Sequence, residues 1–259
     1  MAKSKNLVFV NGAWLTSGCW DDFRKPFEKA GYTVHTPSWP LLGGASAAEL
    51  RANPPKGLGS LSVGAIVDHY QAFIDTLETP PLIIGHSFGG LYVQMLLDRG
   101  VGSAGIAIDP GPTAFVIPGP LSLLAASPVL ARIGAWARPF TLSFKAFQKN
   151  FANRNSLELQ KAAYERLVVP TSGLIFHQAA FSIGTGVHPK RRHQPLLVTG
   201  AQYDRTVDTF TSRGVFNLQK SSPAPTEYKE FANHSHFLIG EPGWEEVAGF
   251  CLEWAKKYA

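Results

Sequence analysis

The sequence predicts an α/β fold: a mainly parallel central sheet with helices on both faces and an inserted helical cap. Three observations predict it. Short, continuously apolar runs alternate with helix-periodic stretches along most of the 259 residues. That alternation stops between Pro110 and Pro195. A Gly-x-Ser-x-Gly sequence joins one apolar run directly to a helical pattern. The length suits one such unit with an insertion, and 45% apolar against 17% charged residues allows a sizeable core and excludes a disordered chain.

The candidate strands are residues 7–10, 32–35, 82–84, 106–108, 196–199 and 227–231. Most are continuous rather than alternating, as strands buried on both faces of a parallel sheet must be. Residues 21–30, 63–77, 91–99 and 243–258 carry helical periodicity between them. In the last of these Trp244, Val247, Ala248, Cys251, Leu252 and Ala255 make one apolar face. The core is therefore expected at 1–110 and 195–259, and a helical cap at 111–194. That insertion shows no convincing strand; residues 122–137, 143–152, 157–167 and 174–181 are its helical pieces, punctuated by Gly and Pro.

Composition removes several classes. No run of eighteen apolar residues is present, so no membrane-spanning helix is expected. Lys3 and Lys5 precede only four apolar residues, too few for a secretory signal, and a cytoplasmic protein is expected. Two cysteines, Cys19 and Cys251, make neither a disulfide framework nor a zinc site; reduced thiols are expected, a single bridge being the alternative. The net charge of +5 raises nucleic acid as a partner, yet no motif supports it. Residues 111–194 hold ten Lys and Arg against two Asp and Glu, a net +8, so the remainder carries −3. The excess belongs to the insertion, as a solvated face or as an attractor of anions.

The chemistry centres on Leu82-Ile83-Ile84-Gly85-His86-Ser87-Phe88-Gly89-Gly90. A strand, a sharp turn and a helix with Ser87 at the apex form a nucleophile elbow. Small residues two before and two after the serine let strand and helix approach, and the Phe88 N–H at the helix start can face an oxyanion. A serine hydroxyl needs a base, and the base an acid. Of eight histidines, His86 belongs to the turn and is expected to pack beneath it. His236, in the loop after the last strand, is the expected base, with His234 as the alternative. Asp204, in the first loop after strand 196–199, is the expected acid; Asp208 and Asp109 are its rivals, otherwise capping or surface carboxylates. The order Ser, Asp, His fits this type of sheet.

On these residues the sequence resembles the α/β-hydrolase superfamily over nearly all of its core. The matching pieces are Val8-Phe9-Val10-Asn11-Gly12-Ala13-Trp14, the Gly85–Gly90 elbow, Gly200 to Asp204, and His236 before the last helix. It is also similar to small bacterial and fungal members that share Pro37-Ser38-Trp39-Pro40 and Arg51-Ala52-Asn53-Pro54. The resemblance implies an oxyanion hole made by the N–H groups of Ala13 and Phe88, with Asn11 standing where the family usually has histidine. Ser87 departs from the dehalogenases and epoxide hydrolases, which place Asp there, and Phe237 departs from the plant hydroxynitrile lyases, which place Lys after the histidine. The implied activity is hydrolysis of a small apolar carboxylic ester or lactone, with no metal or cofactor. A ligand-binding relative with a slow triad and a cofactor-free oxygenase or lyase of the same fold are the alternatives. The insertion is aromatic, and Phe140, Phe144, Phe147 and Phe151 fall at helical spacing, which suits docking on the core. Trp14, Trp39, Phe144 and Phe147 are the expected substrate contacts.

Overall fold

The computed structural model describes residues 5–259; Lys3 lies outside the described residues. The strands run in chain order as β1 (Asn6–Val10), β2 (Thr33–His35), β3 (Leu82–His86), β4 (Ala104–Ile108), β5 (Pro139–Phe140), β6 (Thr171–Ser172), β7 (Leu196–Ala201) and β8 (Thr226–Phe231). Six of them form one sheet in the order β2-β1-β3-β4-β7-β8. Every pairing in it is parallel, with Val8 opposite Ile83 and Ala107 opposite Val198. The middle strands β3, β4 and β7 are buried along their whole length, as their continuous apolar sequences require. All six sheet strands expected from sequence are present, each within two residues of its expected ends.

The helices are α1 (Lys25–Lys29), α2 (Ala47–Ala52), α3 (Val63–Ile74), α4 (Phe88–Asp98), α5 (Pro120–Leu130), α6 (Phe144–Ala146), α7 (Leu157–Leu167), α8 (Leu174–Ala180), α9 (Thr209–Gln219) and α10 (Trp244–Tyr258). α3 and α9 flank α4 on one face of the sheet, Gln219 reaching Gln94 across the seam (3.0 Å), while α1 packs on α10 on the other. Two helices escaped the sequence reading. α2 is held by a Ser46–Glu49 capping box, and α9 by the Asp208 side chain, which accepts the Thr211 N–H. Within the described residues no helix is long and apolar enough to cross a membrane. Cys19 and Cys251 are both buried free thiols.

Between β4 and β7 the chain makes an excursion that carries α5 to α8. The stretch expected as one helix over 122–137 ends at Leu130, and Gly134 at φ 74° breaks its continuation. α6 runs on into a single π turn, Phe147–Phe151. The expectation of no strand here needs correction, because β5 and β6 pair antiparallel. A further isolated bridge joins Leu15 to Val168, flanked by Thr16 N–H to Leu167 O (3.0 Å) and Val169 N–H to Trp14 O (2.8 Å). The loop after β1 is thus paired, backbone to backbone, with the excursion.

The family-like segments have structural work of their own. Arg51 donates to the carbonyls of Tyr164, Glu165 and Val168, closing the C-terminus of α7. Arg192, one of the basic residues of the excursion, lies under 2% exposed and donates to Gln219 and Thr226, so it does not belong to a solvated face. Phe115, Trp136 and Phe181, by contrast, are exposed, Trp136 and Phe181 packing on His177 within the excursion.

Close backbone approach fixes the centre of the sheet. A methyl group on Gly85 would lie 2.2 Å from Gly89 O, and one on Gly89 would lie 2.0 Å from Val10 O. Gly85→Ala is therefore expected to cost about 3 kcal/mol or more, the upper end for overpacking, because backbone cannot yield as a side chain does. Gly249→Ala, in α10 with nothing within 4 Å, is expected to add about 0.5–1 kcal/mol instead. Urea denaturation midpoints of the two variants check both signs.

Candidate active site

Ser87 sits between β3 and α4 at φ 58° and ψ −123°, a conformation that costs a non-glycine residue about 1–3 kcal/mol. Backbone hydrogen bonds hold it there. Its N–H donates to Ile108 O (2.9 Å), and its carbonyl accepts from Gly90 and Gly111 N–H (both 2.9 Å). The turn after β1 backs onto it: a methyl on Gly12 would sit 2.7 Å from Ser87 Cβ and 3.3 Å from Oγ. Ala13 is in that turn, and Phe88 is the first residue of α4, where a helix leaves its N–H groups without intrahelical acceptors. Asn11 clamps the turn by donating from Nδ2 to Leu15 O (2.5 Å) and accepting at Oδ1 from the Tyr70 hydroxyl (3.2 Å).

Asp204 and His236 are brought together, both fully enclosed. The imidazole Nδ1–H donates to Asp204 Oδ2 at 2.5 Å. Asp204 Oδ1 accepts the N–H groups of Thr206 (2.7 Å) and Val207 (2.8 Å), which orient the carboxylate. With Nδ1–H committed, Nε2 carries the lone pair, and it is buried with no hydrogen-bond partner among the described residues. His86, next to Ser87, donates from Nε2 to His236 O (2.7 Å), and the two rings lie 4.5 Å apart. This bond ties the loop of His236 to the elbow. Phe151 stands edge-on to the His236 ring at 4.6 Å.

The rival residues have other employment. His234 donates to Glu241 Oε1 (3.0 Å), which also accepts the Ser235 N–H (2.7 Å). Glu241 Oε2 accepts from the Ser235 hydroxyl and from Asn155 (3.2 Å). This buried carboxylate stitches both ends of the 234–241 loop to the excursion; a lone Glu in a Gly-Glu-Pro-Gly turn gave no signal of it. Asp208 caps two helices at once, accepting Thr211 N–H at α9 and Leu121 N–H at α5 (both 3.0 Å). Asp109 is buried beside Asp204. One atom each of Asp109, Asp204 and His236 lie within 4.8 Å of one another, but a cation there would have to displace the Asp204–His236 hydrogen bond.

Above Ser87 lies a cavity of about 70 Å³. Trp14, Phe88 and Phe176 make one wall, Phe176 stacking on Trp14 (4.8 Å) and meeting Phe88 edge-on (5.0 Å). The α5 residues Leu123, Ala126 and Leu130 make the roof, and Val207 closes a side. Of the four expected contacts only Trp14 lines this cavity. Trp39 supports the Asn11 turn through Nε1–H to Asn11 O (2.9 Å), Phe147 is buried against Phe151 and Phe237, and Phe144 meets Tyr164 at a separate depression.

A family model described as "Alpha/beta hydrolase family" matches residues 7–250. The chain belongs to the alpha/beta hydrolase family. Solved structures of that fold agree. The Paleococcus ferrophilus monoacylglycerol lipase is 20% identical with TM-score 0.71, covering 100% of this chain and 97% of that one. A pyrethroid hydrolase from Sphingobium faniae is 16% identical with TM-score 0.68, covering 98% of each chain. Tomato methylketone synthase I, complexed with 2-tridecanone, is 17% identical with TM-score 0.68 and full coverage of both chains. No curated protein matches the sequence.

For this member of the alpha/beta hydrolase family the buried acid–imidazole pair is expected to set a pH dependence. Burial holds His236 below the ordinary histidine range, against the pull of Glu241. Burial also raises Asp204 above the carboxylate range, against its hydrogen bonds from Asp109, Val207 and Thr206. Both shifts favour the uncharged pair. A proton acceptor at Nε2 backed by an ionised acid has one proton fewer, so activity is expected to rise with pH through one step that belongs to the pair. Asp204→Asn is expected to lower kcat/KM by about 100-fold or more and to abolish that step. Rate profiles with a substrate lacking ionisable groups check it.

Proposed function

We propose that the chain is a serine hydrolase that cleaves a small apolar carboxylic ester or lactone through an acyl-enzyme on Ser87. The observation that carries this reading is Ser87 at the floor of an apolar cavity, with an enclosed Asp204–His236 pair whose free Nε2 belongs to the loop bonded to the elbow. Ser87 Oγ attacks the carbonyl carbon while its proton passes to His236 Nε2. Asp204 keeps the Nδ1–H tautomer and stabilises the imidazolium. The Ala13 and Phe88 N–H groups receive the oxyanion, each worth on the order of a hundredfold in rate. The imidazolium returns its proton to the departing alcohol oxygen, and water repeats the sequence on the acyl-enzyme. The excursion 111–194 acts as the cap, with α5 as the roof over the substrate.

The cavity is small beside the ~300–1,000 Å³ usual for ligand pockets, so short chains fit it best. Ser87→Ala is expected to retain the melting temperature and lose more than ~1,000-fold in turnover of p-nitrophenyl butyrate, together with fluorophosphonate labelling. Full turnover by that variant would reject the assignment. Leu130→Ala, which opens the roof, is expected to raise the octanoyl-to-butyryl ratio of kcat/KM by about tenfold. An unchanged ratio would remove α5 from the substrate site.

A further inference from the structure

Asp109 is a buried acid that the proposed reaction leaves unused. It closes β4, is fully enclosed, and holds φ at 43°. Positive φ is rare outside glycine, and Asp and Asn tolerate it best. Thr199 fixes the residue from both sides. Its hydroxyl accepts the Asp109 N–H (3.2 Å) and donates to Asp109 Oδ1 (3.0 Å). Oδ2 receives no hydrogen bond from an N–H or hydroxyl of any described residue. The acid beside it is Asp204, one of whose carboxyl oxygens lies within 4.8 Å of an Asp109 carboxyl oxygen.

Two carboxyl groups can hydrogen-bond only if one of them keeps its proton, and two adjacent buried carboxylates repel. The surroundings decide which one keeps it. Asp204 is supported as an anion by the Thr206 and Val207 N–H groups and by the His236 Nδ1–H. Asp109 has one hydroxyl donor. The charged and titratable neighbours that act on the two acids are Asp208 and Glu241, both acidic, with His236. The Tyr228 hydroxyl on β8 and the Cys251 thiol on α10 are near enough to Asp109 to feel its charge. Arg213, beside Tyr228, is paired with Glu230 (2.7 Å). Among the described residues no lysine or arginine compensates a charge on Asp109.

We propose that Asp109 is a positioning residue for the Asp204–His236 pair, a neutral carboxylic acid that donates its proton to Asp204 and holds that carboxylate against the imidazole. Burial, and then the adjoining Asp204, push the Asp109 carboxyl well above the usual carboxylate range, in line with this role. The donor is held by strand geometry on one side and by Thr199 on the other, so it constrains Asp204 from the face that its own loop does not reach. Loss of the Asp109 proton at high pH places two carboxylates in contact and pushes Asp204 off Nδ1. Activity then falls on the alkaline side.

The kinetic arm of the test rests on the hydrolase reading; a spectroscopic arm does not. In the infrared difference spectrum of wild type minus Asp109→Asn at pH 7, the carbonyl stretch of a protonated carboxylic acid is expected. Its absence overturns the proposal whether or not the protein hydrolyses esters. Asp109→Asn keeps the volume, tolerates the backbone angle and supplies an amide donor. It is expected to stay within about threefold of wild type at neutral pH and to lack the alkaline fall. Asp109→Ala removes the donor and is expected to lose about tenfold or more in kcat at unchanged KM. An alkaline limb shared by wild type and Asp109→Asn overturns the proposal, as does an equal loss in both variants at equal melting temperature. If Asp109→Ala does not fold, the infrared band and the Asp109→Asn profile decide alone.

Discussion

The structure depends on a contact of backbone with backbone at the middle of its sheet. β3 can turn into α4 at Ser87 only because Gly85 and Gly89 let strand and helix touch, and α4 can lie on β1 only because Gly89 meets Val10 O without a side chain. Gly12 then brings the turn after β1 onto Ser87 itself. Gly90 adds a contact with Pro110, so the end of β4 is drawn to the same point. Three parallel strands and one helix thereby converge on the turn that carries Ser87. The positive φ of Ser87 is the strain that this convergence stores, and the hydrogen bonds to Ile108, Gly90 and Gly111 hold it.

Around this point the polar groups are arranged by enclosure rather than by surface charge. Asp204, His236, Asp109 and Glu241 are all buried, and each is committed to a partner across a different loop. A low local dielectric strengthens such bonds and makes each omission costly. The loops at the C-terminal ends of β4, β7 and β8 are consequently fixed by one another. Asp208 extends the same logic outward, since one carboxylate ends both α5 and α9, and its oxygens would lie 2.1–2.2 Å from a methyl on Gly119.

What could be read from sequence follows the range of the interactions. The sheet strands were legible because burial on both faces demands unbroken apolar runs. The elbow was legible because its chemistry is written in five adjacent residues. Asp204 and His236 could be named from chain order, yet their 2.5 Å contact joins residues 32 apart. α9 was missed because its sequence, TFTSRGVFNLQ, has no clean apolar stripe, and α2 because six residues give periodicity too little length. The aromatic residues of the excursion were countable, but their direction was not. Phe147 went inward and Phe115 outward, at 87% exposure, although both belong to the same aromatic excursion. The roles of Thr199 and Glu241 rest on tertiary contacts that no local pattern encodes.

The Leu15–Val168 bridge has an evolutionary side. The segment between β4 and β7 looks like a modular insertion when drawn as a topology diagram. In this chain the segment is a partner in the folding of the turn that carries Gly12 and Ala13, through Thr16 with Leu167 and Trp14 with Val169. A graft that ignored residues 167–169 would leave the Thr16 N–H and the Trp14 carbonyl of that turn unpaired. Drift in the roof can proceed through α5, whose outer leucines meet solvent, while the stretch from the end of α7 into β6 stays under the veto of the β1 turn. Variation in this lineage should therefore be lopsided, free on one side of the excursion and frozen on the other.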